Sequence, residues 1–227
     1  MKIKLFSLCL AMALCGCATI NVDSITSSSW QDLSNGPGLE GWAPKGGKAS
    51  YKKVNGEIIG TSVPHTPNTF LCTTKEYSDF ILEFEFFGHP ELNSGVMVRG
   101  QSKPDYKDGR VHGYQCELED EAKDRDWSTG IYDEARRGWL FPSKDDPDWM
   151  KSFSEAGKKA YKNGEWNKVR VEAIGGNIKT FLNGIPRADL KDDMDAKGFI
   201  GLQVHGVGNR ETPMSVKWRN IRIKEVH

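Results

Sequence analysis

Residues 80–86 read Phe80-Ile81-Leu82-Glu83-Phe84-Glu85-Phe86 and alternate between apolar and mostly charged positions. Successive side chains of a β-strand point to opposite faces, so this alternation predicts a strand that buries Leu82, Phe84 and Phe86. Three further segments alternate in the same way: 168–173, 177–182 and 215–223. The chain is therefore expected to be built mainly from short strands.

Turn signals separate these strands. Gly175-Gly176 and Asn183-Gly184 each stand between two alternating segments and predict tight hairpin turns. Many short strands joined by such turns predict an all-β fold of two packed antiparallel sheets. Residues 147–162 differ, because their composition favours a short helix in a long insertion, and such insertions are often functional loops. About 200 residues fit one domain.

Three more segments carry polar side chains on one parity: 96–99, 114–119 and 202–205. Their apolar partners, such as Val98, Leu118, Leu202 and Val204, are expected to face the core. If these strands are neighbours, one outer face gathers Arg99, Gln115, Glu117, Gln203 and His205. A guanidinium, a carboxylate, an imidazole and two amides together indicate a site for a polar ligand such as a sugar. The alternative interpretation is a solvated sheet face with assorted polar residues.

The first residues predict where the protein works. Lys2 and Lys4 precede an apolar run over residues 5–14, which is too short to span a bilayer. Leu14-Cys15-Gly16-Cys17 then resembles the lipobox of bacterial lipoproteins, in which the residue matching Cys17 is lipidated. This resemblance implies a signal peptide over 1–16, a polar tether over 17–29 and a domain over 30–227. We expect a bacterial envelope protein, lipid-anchored at the periplasmic face or cell surface; the alternative is plain secretion.

The charge of the chain bears on its binding partners, and its cysteine content bears on disulfide bonds. Loss of residues 1–16 leaves 29 basic and 31 acidic residues, a net charge of −2, which argues against a nucleic-acid partner. The cysteines left beyond the lipobox, Cys72 and Cys116, do not make a disulfide framework. Cys116 lies on the apolar parity of its strand, so we expect a buried free thiol.

An ordered set of motifs carries a family resemblance. The motifs are Asn93-Ser94-Gly95, Gly113-Tyr114-Gln115, Gly164-Glu165-Trp166-Asn167, Asn183-Gly184, the segment 198–206, and Arg219-Asn220-Ile221. Over about residues 28–226 the chain resembles the 3-keto-disaccharide hydrolase domain family. The resemblance implies a concanavalin A-like jelly roll whose concave sheet holds the ligand. It also implies a carbohydrate substrate, a glycoside oxidised to a ketone at sugar carbon 3.

The chain departs from that family at three positions on the predicted face. The family often has Glu where Gln115 stands, Gln where Glu117 stands, and a polar residue where Val204 stands. One carboxylate therefore stays on the face but is moved by two residues.

The implied substrate suggests a mechanism. A ketone at carbon 3 acidifies the hydrogen on carbon 2, so a base can remove that proton and the enolate can expel the aglycone. Addition of water completes a net hydrolysis. His205 and Glu117 are the candidate bases, and Arg99 is the candidate for holding the enolate oxygen. The alternatives are an edge histidine for His205, and for Arg99 an ion pair with Glu85 or Glu117 across the sheet.

Further residues are candidates for binding the sugar. Aromatic rings stack on the apolar faces of sugars, and amides and carboxylates bind hydroxyls. The substrate-binding candidates are Gln115, Gln203, Glu119, Tyr132, Trp127 and Trp139. Trp149 is as well explained by packing of the insertion.

No cofactor is expected, although a divalent metal is an option. Nitrogen and oxygen ligands are offered by His112, Glu117, Glu119, Asp120 and His205, but their spacing matches no metal motif. Two other functions compete with the keto-glycoside enzyme. One is a non-catalytic carbohydrate-binding lipoprotein. The other is a two-carboxylate glycoside hydrolase using Glu117 and Glu119, which one strand would place side by side. The sequence makes no prediction of oligomeric state.

Overall fold

The computed structural model describes residues 29–119 and 125–227. In these ranges nearly all regular structure is β. The strands are β1 (Gln31–Asp32), β2 (Trp42–Gly46), β3 (Ser50–Val54), β4 (Glu57–Thr61), β5 (Thr69–Thr73), β6 (Phe80–Phe87), β7 (Ser94–Gly100), β8 (Gly113–Leu118), β9 (Ile131–Glu134), β10 (Gly138–Phe141), β11 (Asn167–Ile174), β12 (Asn177–Leu182), β13 (Ile185–Lys191), β14 (Phe199–Val204) and β15 (Ser215–Glu225). One α-helix, α1, spans Pro147–Ala160, and one 3₁₀ turn spans Lys107–Gly109.

The strands form two sheets in which every pair is antiparallel. The eight-stranded sheet has the order β13-β12-β11-β6-β15-β4-β3, with β1 paired to β15. The seven-stranded sheet has the order β10-β9-β8-β7-β14-β5-β2. The predicted all-β sandwich is confirmed. The predicted hairpins also form, since Ile174 pairs with Asn177 and Leu182 pairs with Ile185.

The core lies between the two sheets. Leu82, Phe84 and Phe86 of β6 are at most 1% exposed, as their alternation predicted. The seven-stranded sheet faces them with the apolar residues of β7, β8 and β14, so its opposite, outer face carries the other parity. Burial of each large side chain stabilises the fold by about 1.5–3 kcal/mol.

Both cysteines of the domain are buried free thiols, as expected for Cys116. Burial raises the pKa of the Cys72 thiol to about 12 and also raises that of Cys116. Since the thiolate is the reactive form of cysteine, both thiols are expected to be unreactive near neutral pH.

The helix of the insertion is where the composition predicted it. The Asp146 carboxylate caps it by accepting from the backbone N–H of Trp149 at 2.9 Å, and Pro147 occupies its first turn. Trp149 and Phe153 pack their rings against Phe141, with centroids 4.7 and 5.9 Å away. Trp149 therefore packs the insertion onto the domain.

The outer face of the seven-stranded sheet has an apolar half and a polar half. The apolar half is a small buried cluster of Phe70, Cys72, Met97, Val111 and Phe199. The polar half lies beside it on β8, β7 and β14 and is open to a cavity.

Candidate functional site

Two rows of side chains cross the outer face of the seven-stranded sheet. In the first row, Trp139 of β10 pairs with Tyr132 of β9, which pairs with Gln115 of β8. In the second row, Glu117 of β8 pairs with Gly95 of β7, which pairs with Gln203 of β14. Antiparallel pairing thus brings together residues that are far apart in the chain.

Glu117 is the central acid of this face. Its carboxylate is buried, and it accepts hydrogen bonds from the Asn93 amide and, at 2.8 Å, from the Gln115 amide. Burial, reinforced by the nearby charges of Glu119 and Glu134, raises the pKa of Glu117 to about 7, against the lowering effect of the two amides. The group therefore exists in both protonation states near neutral pH.

Gly95 makes room for the side chain that supports Glu117. A Cβ at Gly95 would lie 2.6 Å from Cδ and 2.7 Å from Cγ of Gln115. Because Gly95 has no side chain, Gln115 lies across it and reaches the next strand. There its Oε1 accepts from Nε2 of Gln203 at 2.8 Å.

Glu119 lies on the same face as Glu117, two residues further along. Its Oε1 accepts from the Arg125 guanidinium at 2.9 Å, while its buried Oε2 has no hydrogen-bond partner in the described part of the chain. The Arg125 guanidinium in turn lies 3.7 Å from the ring centre of Trp127. Trp127 packs edge-on against Trp139 at 4.8 Å.

These residues surround a cavity of about 530 Å³, a size typical of small-molecule sites. Its walls are formed by Pro90, Glu91, Leu92, Asn93, Gln115, Glu117, Glu119, Arg125, Tyr132, Glu134, Trp139, Gln203, His205, Gly206 and Arg210. The structure therefore brings most of the predicted site residues into one cavity. Trp127 is not one of the residues that line the cavity; its ring contacts that of Trp139.

His205 lies at the exposed side of the cavity, directly after β14. Its Nδ1 is 2.8 Å from the carbonyl oxygen of Gly206. A carbonyl can only accept, so Nδ1 carries the hydrogen and Nε2 is the ring nitrogen of the neutral imidazole that can take a proton.

The predicted placement of Arg99 on this face is wrong. Between the pairs Met97–Gly201 and Gly100–Phe199, β7 has one residue more than β14, and Arg99 adopts a φ of 52°. This bulge resets the alternation of the strand, so parity fails to predict the direction of the side chain.

The Arg99 side chain instead binds segments at the end of the sandwich. It is fully buried and donates to Ser78 O at 2.7 Å, to Gly175 O at 2.8 Å and to the Asp79 carboxylate at 2.8 Å. Its ion pair is with Asp79 rather than with either glutamate considered from the sequence. Arg99 is therefore a structural residue, and the enolate-binding role predicted for it has no support in its position.

Several cavity residues were missed by the sequence analysis. Asn93 binds Glu117, and its signal was present in the Asn93-Ser94-Gly95 motif. Glu134, Arg125 and Arg210 come from β9 and from loops, where no alternation marks them. Arg210 donates to the carbonyl oxygens of Glu91 and Val207.

Those suggested metal ligands that lie in the described residues do not form a cluster. Residues 29–119 and 125–227 contain no group of three or more His, Cys, Asp or Glu arranged to hold a metal ion. His112 contacts Arg110 O through Nδ1 and packs against Tyr106, with ring centres 4.0 Å apart. Asp120 lies outside the described residues, as do Cys17 and the rest of the signal and tether through residue 28. No helix in the described ranges is long and apolar enough to cross a membrane.

Solved structures share this fold. A candidate glycosyl hydrolase from Parabacteroides distasonis ATCC 8503 is 20% identical, covers 87% of this chain and 99% of its own, and superposes with a TM-score of 0.56. Carbohydrate-binding module CBM66 from Bacillus subtilis is 16% identical over 82% of this chain and 96% of its own, with a TM-score of 0.53. A Bacillus subtilis protein of unknown function with a galectin-like fold is 14% identical over 87% and 98%, with a TM-score of 0.56. At these identities the likeness shows the fold alone.

The sequence itself identifies the family. No functionally curated protein matches this chain significantly. A family model does match, and it spans residues 29–224, which is nearly all of the domain expected from the sequence. The chain therefore belongs to the family of 3-keto-alpha-glucoside-1,2-lyase-like domains, as its motifs indicated.

Proposed function

We propose that this protein cleaves the glycosidic bond of 3-keto-glycosides, with Glu117 as the base that removes the carbon-2 proton. The observation that carries the proposal is the Glu117 carboxylate, held by two amides at a cavity lined with aromatic and polar groups. The family supports the substrate class. A pKa near 7 suits a group that must both take up and release a proton at neutral pH.

The reaction balances without an oxidant or a reductant. Glu117 takes the proton from carbon 2, and the electron pair of that C–H bond forms the enolate with the carbon-3 ketone. The enolate re-forms the ketone as a double bond forms between carbons 1 and 2, the bond from carbon 1 to the aglycone oxygen breaks, and that oxygen gains a proton. Water then adds, with hydroxyl at carbon 1 and hydrogen at carbon 2.

Glu117 suits the first step better than His205 does. Glu117 is buried and is held by hydrogen bonds on both oxygens, so its position is fixed before substrate arrives. His205 is exposed and is held only by its contact with Gly206. We place His205 in the second role, as the group at the cavity mouth that exchanges protons with the aglycone oxygen.

Since Arg99 lies elsewhere, another cationic side chain is needed to stabilise the negative charge of the enolate oxygen. Arg210 lines the cavity and donates to two carbonyl oxygens. Among the described residues it has no carboxylate partner within 4.0 Å, unlike Arg125, which is paired with Glu119. Its charge is therefore available to the enolate, while Trp139 and Tyr132 offer faces on which the sugar stacks.

The test compares a 3-keto-glucoside with its unoxidised parent. We expect cleavage of the keto compound alone, and Glu117→Gln should lower kcat by about 100-fold or more, the usual value of a general base. Glu172→Gln, on β11 of the other sheet, is the matched control and should leave kcat unchanged. Binding without turnover would instead favour a carbohydrate-binding module. Equal cleavage of the parent compound would favour the two-carboxylate hydrolase.

We also propose that the enzyme acts at the bacterial envelope as a lipoprotein anchored through Cys17. The charged and apolar segments before Cys17 and the lipobox-like residues support this placement. The substrate would then be met outside the cytoplasm.

A further inference from the structure

We infer that Gln203 is a positioning residue, which acts on Glu117 through Gln115 rather than by touching the substrate. This inference rests on the proposed function, because it concerns the proposed base. Sequence parity suggests Gln203 as a substrate contact. The hydrogen bonds and the burial of its side chain support the positioning role.

The three side chains form one hydrogen-bonded chain across the sheet. Gln203 Nε2 donates to Gln115 Oε1 at 2.8 Å, and Gln115 Nε2 donates to Glu117 Oε2 at 2.8 Å. These hydrogen-bonded side chains extend from β14 across β7 to β8. They pass over Gly95 of β7, which leaves space for them because it has no side chain. The last member of this series is the Glu117 carboxylate, which gains and loses a proton in the proposed mechanism.

Glu117 determines which group donates and which accepts in each of these hydrogen bonds. An ionised carboxylate can only accept, so Gln115 must present its NH₂ group to Glu117 and its oxygen to the other side. That oxygen requires a donor, and Gln203 supplies one by turning its own NH₂ group inward. As a consequence, the other end of the Gln203 amide is unsatisfied. Its buried Oε1 has no hydrogen-bond partner among the described residues.

Gln203 lies in the wall of the cavity, but none of its own surface is open to the cavity. Its exposed fraction is 0%, and the Ser94 hydroxyl fixes its strand by donating to the Gln203 carbonyl oxygen at 2.7 Å. A side chain that is enclosed in this way can orient a neighbour but does not present atoms to a sugar. Its amide therefore serves to keep Gln115 from turning its oxygen toward Glu117.

Gln203 can be altered without changing any charge around Glu117. The titratable and charged groups facing the cavity are Glu119 directly after β8, Tyr132 and Glu134 on β9, Arg125 before β9, Glu91 before β7, and His205 and Arg210 after β14. Gln203→Met is uncharged and similar in shape, so it leaves all of these in place and removes only the donor to Gln115. Gln115 is then free to turn, and Glu117 loses part of a hydrogen bond that favours its ionised form.

The experiment measures the protonation of Glu117 directly. Glutamate side chains are labelled with ¹³C at the carboxyl carbon, and the Glu117 signal is assigned by its loss in Glu117→Gln. We expect Gln203→Met to raise the titration midpoint of Glu117 by about half to one pH unit, the value of one neutral hydrogen bond. The acid limb of the kcat/KM profile should move by the same amount.

A double-mutant comparison separates positioning from a merely structural role. In a Gln115→Met background the link is already broken, so Gln203→Met should produce no further shift. An unchanged midpoint in Gln203→Met, or an equal shift with and without Gln115, would overturn the inference. If Gln203→Met does not fold, Gln203→Leu serves in its place. Leucine is also uncharged and also lacks the donor to Gln115, so the same rise in the midpoint is expected.

These outcomes are distinct from failure of the proposed function. The NMR titration needs no substrate, so it decides the role of Gln203 even if 3-keto-glycosides are not cleaved. Conversely, full activity of Glu117→Gln would reject Glu117 as the base without altering the midpoints measured for the wild type and for the Gln203 variants.

Discussion

At the scale of single residues, Gly95 controls the geometry of the site by having no side chain. In Gly95→Ala the new methyl would overlap Gln115 at 2.6–2.7 Å, so Gln115 must leave its place between Glu117 and Gln203. We expect kcat/KM to fall by up to about 100-fold, the effect of misplacing a catalytic group by about 1 Å. Circular dichroism should show an intact fold.

The control for this substitution is Gly201→Ala on the same sheet. There the added Cβ would lie 3.3 Å from Met97 and 3.4 Å from Cys72, away from Gln115. Equal losses of activity in the two variants would show that crowding of the sheet, rather than displacement of Gln115, is responsible.

Glu117 should also leave a signature in the pH dependence of stability. Its pKa is about 7 in the folded protein against an ordinary value of 4.5, so the unfolded chain loses this proton more easily. Its effect on stability is absent below pH 4.5, grows unfavourably as the pH rises toward 7, and is complete above 7. By pH 8.5 it should cost about 3 kcal/mol.

Denaturant unfolding of wild type and Glu117→Gln at pH 4 and pH 8.5 measures this effect. The difference in unfolding free energy between the two proteins should change by about 3 kcal/mol in favour of the variant at the higher pH. A difference that stays constant with pH would mean that the Glu117 pKa is not raised by folding.

Residue-level parity predicted Gln115, Glu117 and Gln203 correctly as members of one face, because their strands are regular. It failed for Arg99, because the bulge in β7 is set by pairing with β14 and leaves no local mark in the sequence. Asn93 and Arg210 lie outside strands, where alternation carries no information.

At the scale of elements, Arg99 ties the end of β7 to the other sheet. Its guanidinium binds the adjacent residues Ser78 and Asp79 and the turn at Gly175, so it joins two segments to β7. Arg99→Met removes these bonds, so the two carbonyl groups lose the guanidinium as a donor and the Asp79 carboxylate keeps, among the described residues, only the backbone N–H of Gly175. We expect a loss of about 1–3 kcal/mol in unfolding free energy, because Arg99 is fully buried but the Asp79 side chain is 36% exposed and can be hydrated.

The same variant tests whether Arg99 acts in catalysis. The protein that remains folded at low temperature should turn over substrate within a few-fold of the wild-type rate, because Arg99 lies away from the cavity. If turnover instead drops by about 100-fold while stability is unchanged, the catalytic role predicted from the sequence would be restored.

Strands and helices that are bounded by clear turn residues could be predicted from the sequence, whereas very short strands could not. The hairpins at Gly175-Gly176 and Asn183-Gly184 and helix α1 all follow from turn residues and composition. The strands β9 and β10 have four residues each and lie in a stretch that reads as loop-rich. They form because β9 pairs with β8, and they supply Tyr132 and Trp139 to the cavity.

At the scale of the whole molecule, the proposed anchor determines where the enzyme meets its substrate. Cys17→Ser removes the thiol to which lipid would be attached, so the protein should move from the membrane fraction to the soluble fraction. Fractionation followed by immunoblotting measures this, with Cys72→Ser as the control that keeps the lipobox-like segment intact. Wild-type levels of Cys17→Ser in the membrane would contradict anchoring through Cys17.

The overall architecture followed from the sequence more readily than the chemistry. Alternation and turns indicated an antiparallel sandwich, and the core residues follow from the same alternation. The pKa of the reacting group depends on burial, on hydrogen bonds and on the carboxylates of Glu119 and Glu134, which only the folded domain brings together.

The most direct test of the account is turnover of a 3-keto-glycoside in deuterated water, followed by NMR of the released sugar. Elimination requires that the hydrogen on carbon 2 leave during cleavage. We predict that the product carries solvent deuterium at carbon 2, or is released unsaturated with no hydrogen there. Incubation of unlabelled product with Glu117→Gln corrects for spontaneous exchange. A product that keeps its original carbon-2 hydrogen would contradict proton abstraction and would indicate direct displacement at carbon 1.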